Sequence, residues 1–275
     1  MPKTTLALFL LISQMITLLQ PAAAESVVKK PVLHWCLDHF PRFHEFQGRG
    51  LPTGPSVAVM QELANRVGFE LSYSPKTPIA RCFRQMSTGE ADLMINLNFT
   101  EERNQLMYLF PYNETIPESL YLRKNDLRLI DQISQLSPLI LVTVRNYIYN
   151  PTLMALIKNQ KEQHIEVDSI EAGFELLRKG RVDGLIVPTQ SSLEVIRNNP
   201  ALHYQFRKAA LTFRFGTPRY INIGFSRKSK YLYLKDQIEQ AVALMKDDGT
   251  VDRLYQLPDG GKQYLVSDNE PLQNR

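Results

Sequence analysis

The 275-residue sequence is poor in cysteine, histidine and tryptophan, with two, five and one respectively. Two cysteines exclude a disulfide-dense scaffold and permit a single bond at most. His39 and His44 are spaced i, i+5 around Pro41, which sets no helical metal face, and H-E-x-x-H and C-x-x-C are both missing. Neither a metal nor a cofactor is therefore expected. G-x-S-x-G and Walker loops are missing too, which removes the common hydrolase and nucleotide sites. Seventeen Pro and thirteen Gly are too few for a low-complexity chain, and 44% hydrophobic residues argue against disorder. Neither sign of charge dominates: 32 basic against 28 acidic residues give +4, scattered rather than run together. Without a basic stripe or interleaved aromatics, nucleic acid is not an expected partner.

After the N-terminus no stretch is long and apolar enough to span a bilayer. The first residues differ. Met1-Pro2-Lys3 is a charged start, Thr4 to Leu19 an apolar run, and Gln20-Pro21-Ala22-Ala23-Ala24 a small-residue end. This pattern predicts a secretory signal peptide over 1–24, cleaved after Ala24, rather than a membrane anchor, because the run falls short of the ~20 residues a bilayer needs. Neither cysteine lies near the cleavage site, which disfavours a lipoprotein. The expected product is a soluble, periplasmic monomer. In that oxidising compartment Cys36 and Cys82 either form a disulfide, adding on the order of 4 kcal/mol by loop-closure entropy, or remain two buried thiols.

Hydrophobic periodicity alternates between the strand and helix types. Strands are predicted at Val32–Cys36, Phe69–Tyr73, Asp92–Leu97, Glu118–Arg123, Leu139–Val144, His164–Val167, Gly184–Val187 and Tyr220–Ser226. Helices are predicted at Ser56–Val67, Ile79–Met86, Thr152–Asn159, Ile170–Lys179, Gln190–Asn198 and Tyr231–Asp247. This order predicts an α/β protein with open sheets flanked by helices, and two sheets rather than an eight-fold barrel.

Five motifs occur in order: Gly89-Glu90-Ala91-Asp92, Thr100-Glu101-Glu102-Arg103, Phe110-Pro111-Tyr112, Gly180-Arg181-Val182-Asp183 and Leu244-Met245-Lys246-Asp247-Asp248-Gly249-Thr250. Together they resemble the family 3 periplasmic solute-binding proteins, the amino-acid-type receptors of ABC importers, from about Val32 to Leu257. The resemblance implies a two-lobed periplasmic binding fold, each lobe an open sheet, joined by two hinge strands that close over a ligand. Lobe 1 would take residues 25–118 and return over 214–275 with the C-terminal tail, and lobe 2 would take 119–213. The implied partners are a small-molecule solute and an ABC permease or a membrane sensor.

The implied site residues follow the motifs. Arg103 stands where the family places the arginine that meets the ligand's carboxylate, and its planar fork suits that group; the alternative is a pair with Glu101, Glu102 or solvent. Asn96 and Asn98, at alternate strand positions, point the same way and either meet ligand or form a loop. Phe40, with Phe43 around Pro41, either covers the ligand's apolar part or packs in the core. Ile79 falls at an apolar contact position, and Arg81 is either a ligand neighbour or a helix-surface arginine. Asp92 and Asp183 are expected to brace turns.

Lobe 2 departs from the amino-acid receptors. They carry an aspartate for the ligand's ammonium a few residues beyond G-R-x-D, and Pro188 stands in its place here. The family's glycine-threonine loop is replaced by Val144-Arg145-Asn146-Tyr147-Ile148-Tyr149, where Asn146 can adopt the glycine's left-handed backbone. Tyr147 and Tyr149 would add aromatic walls, and Arg145 a second cation. An anionic or aromatic organic solute thus joins amino acids as an expected ligand. Two other functions fit the same fold: a prephenate- or arogenate-type dehydratase, for which the lobe 2 stretch offers no acid or base before Glu194, and a soluble sensor input without transport.

Overall fold

The computed structural model describes residues 29–255 except 47, 49, 116, 160 and 214–218. The predicted signal peptide over 1–24 and the C-terminal tail beyond 255 lie outside the described residues.

Strands β1 (Val32–Trp35), β2 (Glu45–Phe46), β3 (Pro52–Thr53), β4 (Glu70–Tyr73), β5 (Leu93–Asn98) and β6 (Met107–Glu114) come first. They are interleaved with helices α1 (Pro55–Val67), α2 (Ile79–Thr88) and α3 (Glu101–Leu106). Next come β7 (Glu118–Arg123), β8 (Leu141–Val144), α4 (Pro151–Asn159), β9 (His164–Val167), α5 (Ile170–Arg178), β10 (Gly184–Pro188), α6 (Thr189–Asn198) and β11 (Phe206–Thr212). The chain closes with β12 (Tyr220–Ser226), α7 (Lys235–Asp247) and α8 (Thr250–Tyr255). Two five-stranded sheets result, in the orders β4-β1-β5-β12-β6 and β11-β7-β10-β8-β9, so the fold has two α/β lobes.

In the first sheet β1 runs parallel to β4 and β5, while the late strand β12 inserts antiparallel between β5 and β6. In the second, β8 runs parallel to β9 and β10, and β7 is antiparallel to β10 and β11. Strands buried on both faces read as unbroken apolar runs, as in Leu185-Ile186-Val187. In open sheets of this kind the loops at the carboxyl ends of the parallel strands form the binding crevice. Here those ends are β1 and β5 in one lobe and β8 and β10 in the other.

The first core packs Leu33, Trp35, Met60, Leu63, Phe225 and Ile238 between the sheet and α1 and α7. On its other side a smaller cluster holds Cys36, Cys82, Met86, Met94 and Met107. Cys36 and Cys82 form a disulfide there, with Cα atoms 5.5 Å apart, tying the end of β1 to α2. The second lobe has one cluster on each sheet face, around Leu120, Ile186 and Leu211 and around Tyr121, Phe174 and Leu185.

The observed elements correct the expected ones in places. β6 was not predicted, because Pro111 interrupts its pattern. The strand accommodates this proline, which donates no hydrogen bond, at a register shift opposite Asn222. β11 and the hairpin of β2 and β3 were also missed, the former because Arg207 and Lys208 break its apolar alternation. The predicted helix from Tyr231 is a short 3-10 turn over Leu232–Leu234 followed by α7. Asp92 and Asp183 do brace turns: Asp92 accepts from the His34 N–H and the Ser229 hydroxyl, and Asp183 from the Ile140 N–H.

Candidate functional site

A cavity of about 60 Å³ lies where the two crevices face each other, room for roughly four waters. The first lobe contributes Asp38 and Phe40 after β1, Ile79 at the start of α2, residues 94–98 of β5, and Arg103. Thr115 and Glu118 come from the crossing between the sheets, and the second lobe adds Asn146–Tyr149 after β8 and Pro188 at the end of β10.

Arg103 is placed by a helix start. Thr100 caps α3, its hydroxyl accepting the Arg103 N–H at 3.1 Å, and Glu101 and Glu102 fill the first turn. The residue is 8% exposed, and its guanidinium lines the cavity. The guanidinium donates to the carbonyls of Asn98 (2.9 Å) and, across the cavity, Asn146 (3.0 Å), with the Phe83 ring 4.9 Å beneath it. Among the described residues no acidic side chain forms an ion pair with it. Burial therefore lowers its pKa to about 10, against smaller opposing effects of Glu102 and Asp38.

Asn96 and Asn98 both line the cavity but are used differently. Asn96 sits at φ 60, in the left-handed region, so simple alternation does not carry through it. Its amide N–H donates to Ser56 (2.9 Å), and its carbonyl accepts from Tyr112 (2.6 Å) and Tyr255 (3.2 Å). The two phenols also meet at 2.5 Å, and burial raises the pKa of both, Tyr255 to about 12. Asn98 instead accepts from Thr115 and donates to the Ile148 carbonyl in the other lobe.

Aromatic rings meet across the cavity. Phe40 stacks on Phe43 at 5.0 Å and touches the edge of Tyr147 at 5.7 Å. The loop that carries them is pressed against the start of α1. Gly54 lies at φ 119, and a Cβ there would fall 2.5 Å from the Phe43 carbonyl oxygen. In the second lobe Asn146 takes the left-handed backbone expected of it, at φ 65. Tyr149 is buried, and its hydroxyl accepts the Val144 N–H at 2.7 Å.

Two expected site residues do not line this cavity. Arg81 is exposed on α2. Arg145 points into a neighbouring groove, where it pairs with Asp168 and lies 3.6 Å from Glu166. The solvent-facing carboxylates after and within β9 draw it away. In that groove His39 of the first lobe reaches Glu171 of α5 at 3.7 Å. Burial pushes the Glu171 carboxyl up, but hydrogen bonds, that of His39 first, bring it to about 2.

Two carboxylates in the cavity were not anticipated from sequence. Asp38 accepts from the His44 ring at 2.8 Å. Glu118 is 6% exposed, and burial raises its pKa to about 7 against a backbone hydrogen bond from Asn150 and the charge of Arg219.

A cleft between two α/β lobes, lined by polar groups from both, has the form of a small-molecule site. The profile of the bacterial extracellular solute-binding proteins, family 3, matches residues 35–257, and the chain belongs to that family. An ancestral arginine-binding protein bound to glutamine has a similar fold, with a TM-score of 0.67 at 20% identity over 82% of this chain and 96% of its own. ArtJ, the arginine-, lysine-, histidine-binding protein of Geobacillus stearothermophilus, aligns with a TM-score of 0.65 at 18% identity over 82% and 94%. A histidine kinase sensor domain similar to periplasmic binding proteins gives 0.69 at 13% identity over 82% and 94%. No curated protein matches the sequence. Among the described residues no helix is long and apolar enough to cross a membrane, and no cluster of three or more His, Cys, Asp or Glu could hold a metal ion.

Proposed function

We propose that this protein captures a small carboxylate-bearing solute between its lobes, outside the cytoplasm, and delivers it to an ABC importer without acting on it chemically. The carrying observation is Arg103: a buried guanidinium on the cavity wall whose partners are carbonyl dipoles and a ring, with no anion among the described residues paired to it. A carboxylate is the complement such a fork accepts with two parallel, charge-assisted bonds. Phe40, Ile79 and Tyr147 supply apolar walls, as in most small-molecule sites, where a few polar groups fix orientation.

In this reading lobe 1 comprises 25–118 and 214–275, lobe 2 comprises 119–213, and 1–24 is a cleaved signal peptide. The lobes close as hinged bodies. Solved proteins of similar fold bind arginine, glutamine, lysine or histidine, which supports a solute with a carboxylate. The sensor domain of similar fold supports a second reading, in which the same closure reports the solute to a membrane kinase.

Titration calorimetry against a panel of amino acids and organic acids tests the main reading. Binding of at least one carboxylate solute, and none of its amide derivatives, is expected; a protein inert across the panel refutes it. Uptake of that solute by cells lacking the protein distinguishes import from sensing, since only import requires the protein for accumulation.

A further inference from the structure

The near-even charge balance of the chain hides one lopsided stretch: no Asp or Glu occurs between Glu194 and Asp236. Its last part, Ser226-Arg227-Lys228-Ser229-Lys230-Tyr231-Leu232-Tyr233-Leu234-Lys235, forms the turn from β12 to α7 and mixes cations with aromatic and aliphatic side chains. The fold puts this turn at the far end of the first lobe. Ser226 pairs with Met107 at the start of β6, and its N–H donates to the Asp92 carbonyl just before β5. Asn98, at the other end of β5, reaches across the cavity to Ile148. We propose that this turn is a membrane-surface contact: Lys228 and Lys230 meet the phosphates of anionic phospholipid headgroups, while Leu232 and Tyr233 enter the interfacial layer beside them. Such a contact leaves the cavity free and does not depend on its solute.

Lys228 and Lys230 are exposed, and neither pairs with a carboxylate among the described residues. Of the acids nearby, Asp92 is buried and accepts the Ser229 hydroxyl, and Asp236 and Glu239 are engaged by Lys235. Exposed Glu90 follows Gly89, which abuts the Lys228 carbonyl. Tyr233 is 68% and Leu232 41% exposed, so both present apolar surface to solvent. Tyr231 joins the two kinds of group, with the Lys230 ammonium 5.0 Å from its ring and the Tyr233 ring 6.3 Å away. Arg227 is instead used inside the fold, over the Tyr108 ring at 3.9 Å and donating to the Asn104 carbonyl. The turn itself is held firmly: the Ser226 hydroxyl donates to the Met86 carbonyl at 2.6 Å, and the Ser229 hydroxyl accepts the Tyr231 N–H at 3.1 Å. Its outward side chains are thus offered from a fixed backbone, which lowers the ordering cost of contact.

Lysines beside tyrosine and leucine suit a bilayer surface. There ammoniums reach phosphates, phenols sit at headgroup level and aliphatic groups enter the acyl boundary. An acidic peptide would meet the lysines but give Leu232 and Tyr233 nothing apolar to enter. An anionic bilayer supplies both in one plane.

Cosedimentation of the full chain with vesicles of three parts phosphatidylcholine to one of phosphatidylglycerol tests this. Wild type is expected to partition onto them and to be released by high salt. K228A/K230A should bind them about thirtyfold more weakly, at roughly fivefold per lysine. L232S/Y233S should bind about tenfold more weakly through lost apolar burial. On phosphatidylcholine alone wild type and K228A/K230A should be indistinguishable, which cancels any contribution of the apolar run from Thr4 to Leu19 common to both. Mixed-vesicle binding unaltered by either double substitution overturns the contact. So does retention on a polyglutamate resin as tight as on the vesicles and unmoved by L232S/Y233S, which would make an acidic protein the partner. Should a double variant fail to fold, K228A alone, expected about fivefold weaker, and Y233S alone take its place, and no loss in either overturns the contact.

Discussion

On the first-lobe wall of the cavity the polar groups are already partnered within the protein. Asn96 is held by Ser56, Tyr112 and Tyr255, Asp38 by His44, and the Arg103 backbone by the Thr100 cap. Where the chain enters the second sheet, Glu118 keeps a buried oxygen with no partner, and the loop after β8 offers aromatic faces and one asparagine in the left-handed region. The first wall is a preorganised socket, whose groups lose little freedom when a solute arrives. The second holds a buried acceptor that has no partner among the described residues.

Four experiments break or sharpen that contrast. The largest effect concerns the rigidity of the first lobe. Replacing Cys36 and Cys82 together by Ala removes the crosslink over its 46-residue separation, at a cost of about 4 kcal/mol by loop entropy. Urea unfolding followed by the fluorescence of Trp35, the only tryptophan and fully buried in the first lobe, should show it. Next, R103A should weaken binding of the cognate carboxylate solute on the order of a hundredfold by calorimetry; a loss below threefold would remove Arg103 from the site.

A smaller effect belongs to Glu118 in the unliganded protein. Its folded pKa, raised to about 7, lies above that of the unfolded chain. Its contribution is therefore fully present below the ordinary carboxyl range and lost as pH rises through 7. Between pH 5 and 8 wild type should lose about 2 kcal/mol relative to E118Q in urea unfolding; parallel pH profiles would show that the carboxyl is not desolvated. Smallest is Y147A, which removes the ring touching Phe40 from the far lobe. It should weaken solute binding by up to about tenfold through lost ring contact, with little change in the Trp35-detected unfolding midpoint, since the two lie in different lobes.

Much of this architecture can be read from sequence because local pattern and tertiary role agree. His164–Val167 and Tyr220–Ser226 are strands at the predicted bounds, and Ser56–Val67 ends at Gly68 in the left-handed cap its position suggested. β6 resists such reading because only the register of β12 shows how a strand tolerates Pro111. Arg103 was singled out by motif order, Phe40 and Ile79 by position in the resemblance, and Tyr147 and Tyr149 by the altered loop after β8, and all line the cavity. Arg145 misled because nothing local announces Asp168 as its partner. Glu118 gave no sign at all: an acidic residue at a strand start is ordinary, and only pairing across β7 and β10 sets it against Pro188.

Tyr255, in the last described helical turn, reaches back with its hydroxyl to Ser56, Tyr112 and Asn96. A dye or affinity handle grafted onto that turn would tug on the very amide that lines the cavity, so such labels belong elsewhere on the chain.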